Sequence, residues 1–212
     1  MIGLVVLSLS RTSGNLKGGQ VMDKKTERAI FLAVLEGKPY YDRLSKKIVD
    51  SLLEENAKVF TSVVSEIDAL ENISEVTRTK RQSKFSGEVL GRLYHTHYST
   101  SDDIAQNIEL HWGRPDLQED PSHPNTLLRN AIEADLQHNE MWSEAGVIAK
   151  KIVSGYDERR AKRKISGEWI IYGVHEGLKY YLDLGYQGEL IDEVALYDRV
   201  YSSCPEFDFC FH

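Results

Sequence analysis

His95 and His97 stand one residue apart in the stretch 93–103, LYHTHYSTSDD. Imidazole titrates closest to neutrality of all side chains and is a common metal ligand. On a strand, residues i and i+2 project to the same face, so the two rings can address one metal ion or one scissile phosphate. Arg92 and Tyr94 flank the pair on one side, and Ser99, Thr100 and Ser101 follow on the other. The set reads as acid/base chemistry on a phosphate ester. His95 and His97 are the proton-exchanging pair, Arg92 the phosphate holder, and Tyr94 or Ser99 the assisting group. His175, next to Glu176, is a further imidazole that a small sheet would bring toward the same edge. This reading calls for no metal, and the sequence identifies no cofactor.

A second source of cations lies at 150–164, KKIVSGYDERRAKRK, with seven basic and two acidic residues. Its end, Arg159, Arg160, Lys162, Arg163 and Lys164, is the candidate phosphate-binding patch. Cations in the last turn of a helix also oppose its dipole favourably, so part of the patch has a structural reason to exist. A smaller basic cluster is RTKRQSK at 78–84, whereas 102–144 carries ten acidic residues against two arginines. A net charge of −7 argues against a protein coated in nucleic acid. A local basic face can still meet RNA or a phosphate ester.

Residues 95–102, HTHYSTSD, resemble the opening motif of PHP-type phosphoesterases, His-x-His-x-x-x-Ser-Asp-Gly. In that family the two histidines bind metal ions, so the resemblance implies a metal-dependent phosphoesterase. Leu93 stands where that family usually has an acidic residue, Asp103 replaces the closing glycine, and the chain that remains is too short for a β/α barrel. The Arg92-x4-His97 spacing is similar to that of HEPN ribonucleases, in which such a pair on a helix cuts RNA without metal. JAMM-type metalloproteases also carry His-x-His, but their later serine falls on Ala105 here.

Other metal-like groupings are less complete. Asp135 and His138 have the i, i+3 spacing of a helical half-site, with Glu133, Glu140 and Glu144 nearby. No second helix matches them, which favours a solvated acidic face. Cys204, Cys210 and His212 could supply three zinc ligands, though without a close Cys-x-x-Cys pair. Two cysteines make no disulfide framework, so a cytoplasmic setting is expected. The apolar run at 2–9 is too short to span a bilayer and lacks the flanks of a signal peptide.

The elements that must position these residues predict an α+β domain over 23–212, mainly helical over 23–86 and mixed over 87–212. Residues 1–22 read as a flexible or strand-forming segment. Asp23 caps a helix over 23–36 with Ile30, Val34 and Leu35 inward. One long or two shorter helices run on to Leu70, and 72–87 is a loop. A strand over 88–98 places His95 and His97 on one face and Tyr94, Thr96 and Tyr98 on the other. Ser101 caps a helix over 102–112, and a longer helix spans 125–164 with a break near Gly155. These two helices are expected to cover one side of a small antiparallel sheet. A hairpin over 167–186 turns at Glu176-Gly177, pairing His175 with Leu178, Gly173 with Tyr180, Ile171 with Leu182 and Trp169 with Leu184. A helix over 189–202 points Ile191, Val194, Ala195 and Tyr201 inward, and the tail is a last strand or a docked segment.

The function expected from these features is a small bacterial-type hydrolytic enzyme, a ribonuclease or phosphodiesterase using the His-x-His pair. The competing class is a non-enzymatic interaction protein, such as an immunity, antitoxin-like or regulatory partner. Its acidic surface would meet a basic protein through exposed Tyr172, Tyr181 and Tyr186.

Overall fold

The computed structural model describes residues 23–75, 77–112, 144–186 and 192–212, together with 128, 130, 132–134 and 189. The segment 1–22, most of 125–143 in the expected longer helix (Asp135, His138 and Glu140 included), and Ile191 lie outside the described residues. The architecture is α+β. Four strands, β1 (Ser83–Lys84), β2 (Tyr94–Tyr98), β3 (Glu168–His175) and β4 (Leu178–Gly185), form one antiparallel sheet in that order.

One face of the sheet is covered by the N-terminal helices α1 (Lys24–Glu36), α2 (Lys46–Glu54) and α3 (Ala57–Leu70). Asp23 caps α1 by accepting the Thr26 amide at 3.0 Å. Asn56 accepts the Lys58 and Val59 amides, which splits the long apolar stretch into two helices. Leu35, Ile48, Leu52, Val63 and Ile67 pack into one cluster with Ile170, Tyr172 and Tyr181 of the sheet. Each such buried aliphatic contributes on the order of 1.5–3 kcal/mol. The Ser45 amide donates to the Tyr181 carbonyl at 2.8 Å and pins α2 to β4.

Leu93, Trp169, Ile171 and Leu182 lie in the cluster on the opposite face. It is closed by Leu196 and Val200 of a C-terminal helix (Glu193–Ser203) and by a 3-10 segment, Pro205–Cys210. The tail is therefore docked as a 3-10 turn rather than as a strand.

The helices expected over the sheet do something else. The helices α4 (Ile104–Trp112) and α5 (Glu144–Ala161) pack on each other and contribute to neither cluster. Trp112 Nε1 donates to the Ile152 carbonyl at 3.1 Å. A Cβ on Gly155 would lie 2.3 Å from that same Nε1, so Gly155 admits the indole and α5 runs through it without a break. The C-terminal helix, α6, buries Leu196 and Val200 while Val194, Ala195 and Tyr201 face outward. In α1 Phe31 replaces Ile30 as the inward residue, because its ring stacks on Phe60 at 3.9 Å.

Three further corrections bear on the site. The strand begins at Tyr94 rather than at residue 88. Gly87 adopts φ +117°, and the chain folds back so closely that a Cβ on Gly91 would meet the Gly87 carbonyl oxygen. The cap before α4 is Thr100 instead of Ser101: its amide donates to Asp103 at 2.6 Å, and its hydroxyl accepts the Asp102 amide at 3.2 Å. The hairpin turns at Glu176 and Gly177, both at positive φ, and keeps the expected register from His175–Leu178 to Gly173–Tyr180. That register also pairs Tyr172 with Tyr181; Leu182 is then an extra residue in β4, so Ile171 faces Asp183 and Trp169 faces Gly185. The shift turns Leu184 into the first core, and it buries Asp183, which Arg199 of α6 pairs at 2.7 Å. Tyr172 and Tyr181 are fully buried, contrary to their expected role as contact residues; Tyr186 is exposed.

Candidate functional site

The imidazole pair is positioned as the strand alternation requires. His95 pairs across β2–β3 with Ile171 and His97 with Trp169, and both rings face the second core. Their centroids are 5.5 Å apart. Phe85 packs 4.5 Å from His95, and Trp169 lies 5.2 Å from His95 and 6.3 Å from His97. His97 is 5% exposed, and its Nδ1 lies 3.0 Å from the Gly167 carbonyl oxygen. A carbonyl only accepts, so Nδ1 carries the proton and Nε2 of the neutral ring does not. His95 Nε2 lies 3.2 Å from the Ser83 hydroxyl, while His95 Nδ1 and Trp169 Nε1 are buried without a hydrogen-bond partner. Burial, with His97 and Lys80 adding repulsion, pushes the His95 pKa down to about 4. Burial also lowers that of His97, against the Gly167 carbonyl, which raises it. Both rings are thus neutral packing groups near pH 7.

The other sequence-predicted residues do not join them. Arg92 is exposed on the turn before β2, and Tyr94 stacks on Tyr172 on the opposite face of the sheet. His175 lies at the hairpin tip, 4.5 Å from Phe209. Ser99 lines a cleft described below. The basic patch divides by partner. Arg159 is turned inward to Asn107 at 3.3 Å and to the Lys164 carbonyl at 2.6 Å, and Lys162 pairs with Glu158 at 3.3 Å. Arg163 and Lys164 are exposed, and Arg160 alone of the patch lines the cleft.

Among the described residues no three His, Cys, Asp or Glu side chains gather as a metal site. The Cys204 thiol donates to the Leu182 carbonyl at 3.3 Å, Cys210 packs where a Cβ on Gly173 would clash, and His212 reaches Asp208. The three side chains that a zinc site would have used serve separate structural contacts.

A cleft opens elsewhere. A cleft of about 690 Å³ lies between α3, the strand-like segment around Thr79, the turn 99–101 and the end of α5. The Lys80 amide donates to the Ile165 carbonyl at 3.0 Å, which ties the segment to the exit of α5. Hydroxyls from Thr77, Thr79, Ser99 and Ser101 line the cleft, with cations from Lys58, Arg78 and Arg160. Lys58 pairs with Asp102 at 3.2 Å in an exposed contact; Arg78 and Arg160 have no ion-pair partner among the described residues.

Glu66 forms part of the wall and is 6% exposed. Its carboxylate accepts the Thr77 hydroxyl at 2.7 Å and the Thr79 hydroxyl at 2.8 Å. Burial raises its pKa to about 7, against these two bonds, which lower it. Sequence reasoning passed over this residue. The available signal was its place three residues after Val63 on the inward stripe of α3, where a charge has no packing reason to be.

No known protein family, curated protein or solved structure matches this chain. The functional reading therefore rests on the geometry alone. No described helix is long and apolar enough to cross a membrane.

Proposed function

We propose that the protein binds and hydrolyses a phosphate ester in the Glu66 cleft, as a small phosphodiesterase or ribonuclease. The observation that carries this reading is one cleft holding both a carboxyl group poised near neutrality and two guanidinium groups without acidic partners among the described residues. A group titrating near the working pH can take a proton from an attacking hydroxyl and return it to a leaving oxygen. Guanidinium groups match phosphate geometry and stabilise the charge that develops on it. In the proposed step a neutral Glu66 gives its proton to the alcohol oxygen as that P–O bond breaks. The attacking water, as its oxygen bonds to phosphorus, gives up a proton that restores the acid. His95 and His97 take no part.

The test is incubation with a labelled single-stranded RNA and with a nucleoside phosphodiester, with and without chelator. Cleavage that survives chelation and disappears in an Arg78→Ala, Arg160→Ala double variant supports the reading. Absence of cleavage of either probe, or cleavage unchanged in the double variant, counts against it.

A further inference from the structure

We infer that the cleft takes up its anion together with a proton, which is held on Glu66, so that anion affinity is governed by the protonation of this one carboxyl. The inference rests on the cleft being the anion site and adds how that site is regulated.

Glu66 sits in the wall, with Thr77 and Thr79 donating to its two oxygens. The other groups facing the same cleft can be named element by element. Lys58 comes from α3 and is paired with Asp102 at the start of the 3-10 turn before α4; Arg78 comes from the segment after α3. Ser99, Thr100 and Ser101 come from the turn after β2, and Tyr156 and Arg160 from α5. Among the described residues lining the cleft, Glu66 is thus the only carboxyl, and none is a histidine.

An oxyanion entering a cleft of this size adds a like charge near a carboxyl that burial already makes reluctant to ionise. Like charges in a poorly solvated site raise the pKa of the acid, and by linkage the protonated site binds the anion better. Protonation also changes the hydrogen bonding. A carboxylate only accepts, whereas the neutral acid has one O–H to donate. A protonated Glu66 can therefore turn a donor toward the anion while still accepting from one or both threonines.

Sulfate is the appropriate probe, because its own charge does not change across the relevant range. Sulfate binding is measured by calorimetry on the full chain from pH 5.5 to 8.5, and at pH 7.5 in two buffers of different ionisation heat. The expected result is affinity about tenfold weaker at pH 8.5 than at pH 5.5, with net proton uptake at pH 7.5. Glu66→Gln is expected to bind sulfate with an affinity that varies less than twofold over the same range. Sulfate binding that is independent of pH and takes up no proton overturns the inference while leaving the anion site intact. Failure to bind sulfate at any pH overturns the anion site and the inference with it. The buffer comparison needs only the unmodified protein, so it decides the matter even if the variant does not fold.

Discussion

Burial disfavours the charged form of both His95 and Glu66, and they differ in what surrounds them. His95 packs against Phe85, Trp169 and His97 and does not line the Glu66 cleft. Its depressed pKa takes it away from the range where an acid/base group works. Glu66 is also desolvated but meets hydroxyls and a cleft, and its pKa moves toward neutrality. A perturbed titration marks a functional candidate only when access accompanies it. Residue type favours the histidines, whereas access and the direction of the shift favour the carboxyl.

The two regions respond differently to mutation, and the largest effect belongs to the aromatic one. Trp169→Ala removes a nearly fully buried indole from the second core and is expected to cost about 3–5 kcal/mol in urea unfolding. A loss below about 1 kcal/mol would show that the imidazole surroundings are not a packed core, and would reopen that side as a site.

Glu66→Gln should do the reverse at high pH. The folded-state pKa lies above the ordinary carboxyl value of 4.5, at about 7. The folded protein therefore binds this proton more tightly than the unfolded chain does. The associated stability is fully present below pH 4.5 and is lost as the pH rises through about 7. The amide has no such charge to bury, so the variant is expected to gain roughly 2 kcal/mol over the native protein at pH 8.5. Near pH 4.5 the difference should shrink toward zero. Equal urea midpoints at pH 8.5 would break the contrast.

His97→Phe puts a somewhat larger apolar ring in place of the imidazole and removes its hydrogen bond to the Gly167 carbonyl, at a cost of about 1–2 kcal/mol by the same measurement. An unchanged stability would mean that this carbonyl has found water and that the strand end is more open than its 5% exposed histidine indicates.

The last contrast is a slope. The folded-state pKa of His95 is about 4 against an ordinary 6.5, so the unfolded chain takes up a proton that the folded protein refuses. Its stability term is present above pH 6.5 and is lost as the pH falls toward 4. That slope opposes the one from Glu66 over nearly the same interval, so the native protein should show a shallow profile. Glu66→Gln should expose a rise in stability with pH, and His95→Phe a fall. If both variants keep the native profile, neither group is desolvated as described.

Much of the fold was legible where a local rule had no competitor. The Asp23 cap, the Glu176-Gly177 turn and the opposite faces of Tyr94 and His95 follow from short-range stereochemistry. The misses share a different origin. Leu182 breaks the alternation because Asp183 is drawn to Arg199, which comes from a helix about 16 residues later. Gly155 reads as a helix breaker until Trp112 is placed against it. Glu66 reads as an ordinary charge until Thr77 and Thr79 are seen to close over it, and Arg160 looks no different from Arg159 until one lines the cleft and the other turns inward.

The sequence by itself determined the α+β class, the helix start at Asp23, the tip of the hairpin and the shared face of His95 and His97. These depend on backbone preferences and side-chain periodicity within a few residues, which any surrounding structure must respect. Only the tertiary structure decided which ionisable groups are accessible. Solvation is set by what packs from distant parts of the chain: Trp169 against His95, from β3, and the segment after α3 together with α5 around Glu66. Burial alone made both groups candidates, and the cleft beside Glu66 separates them.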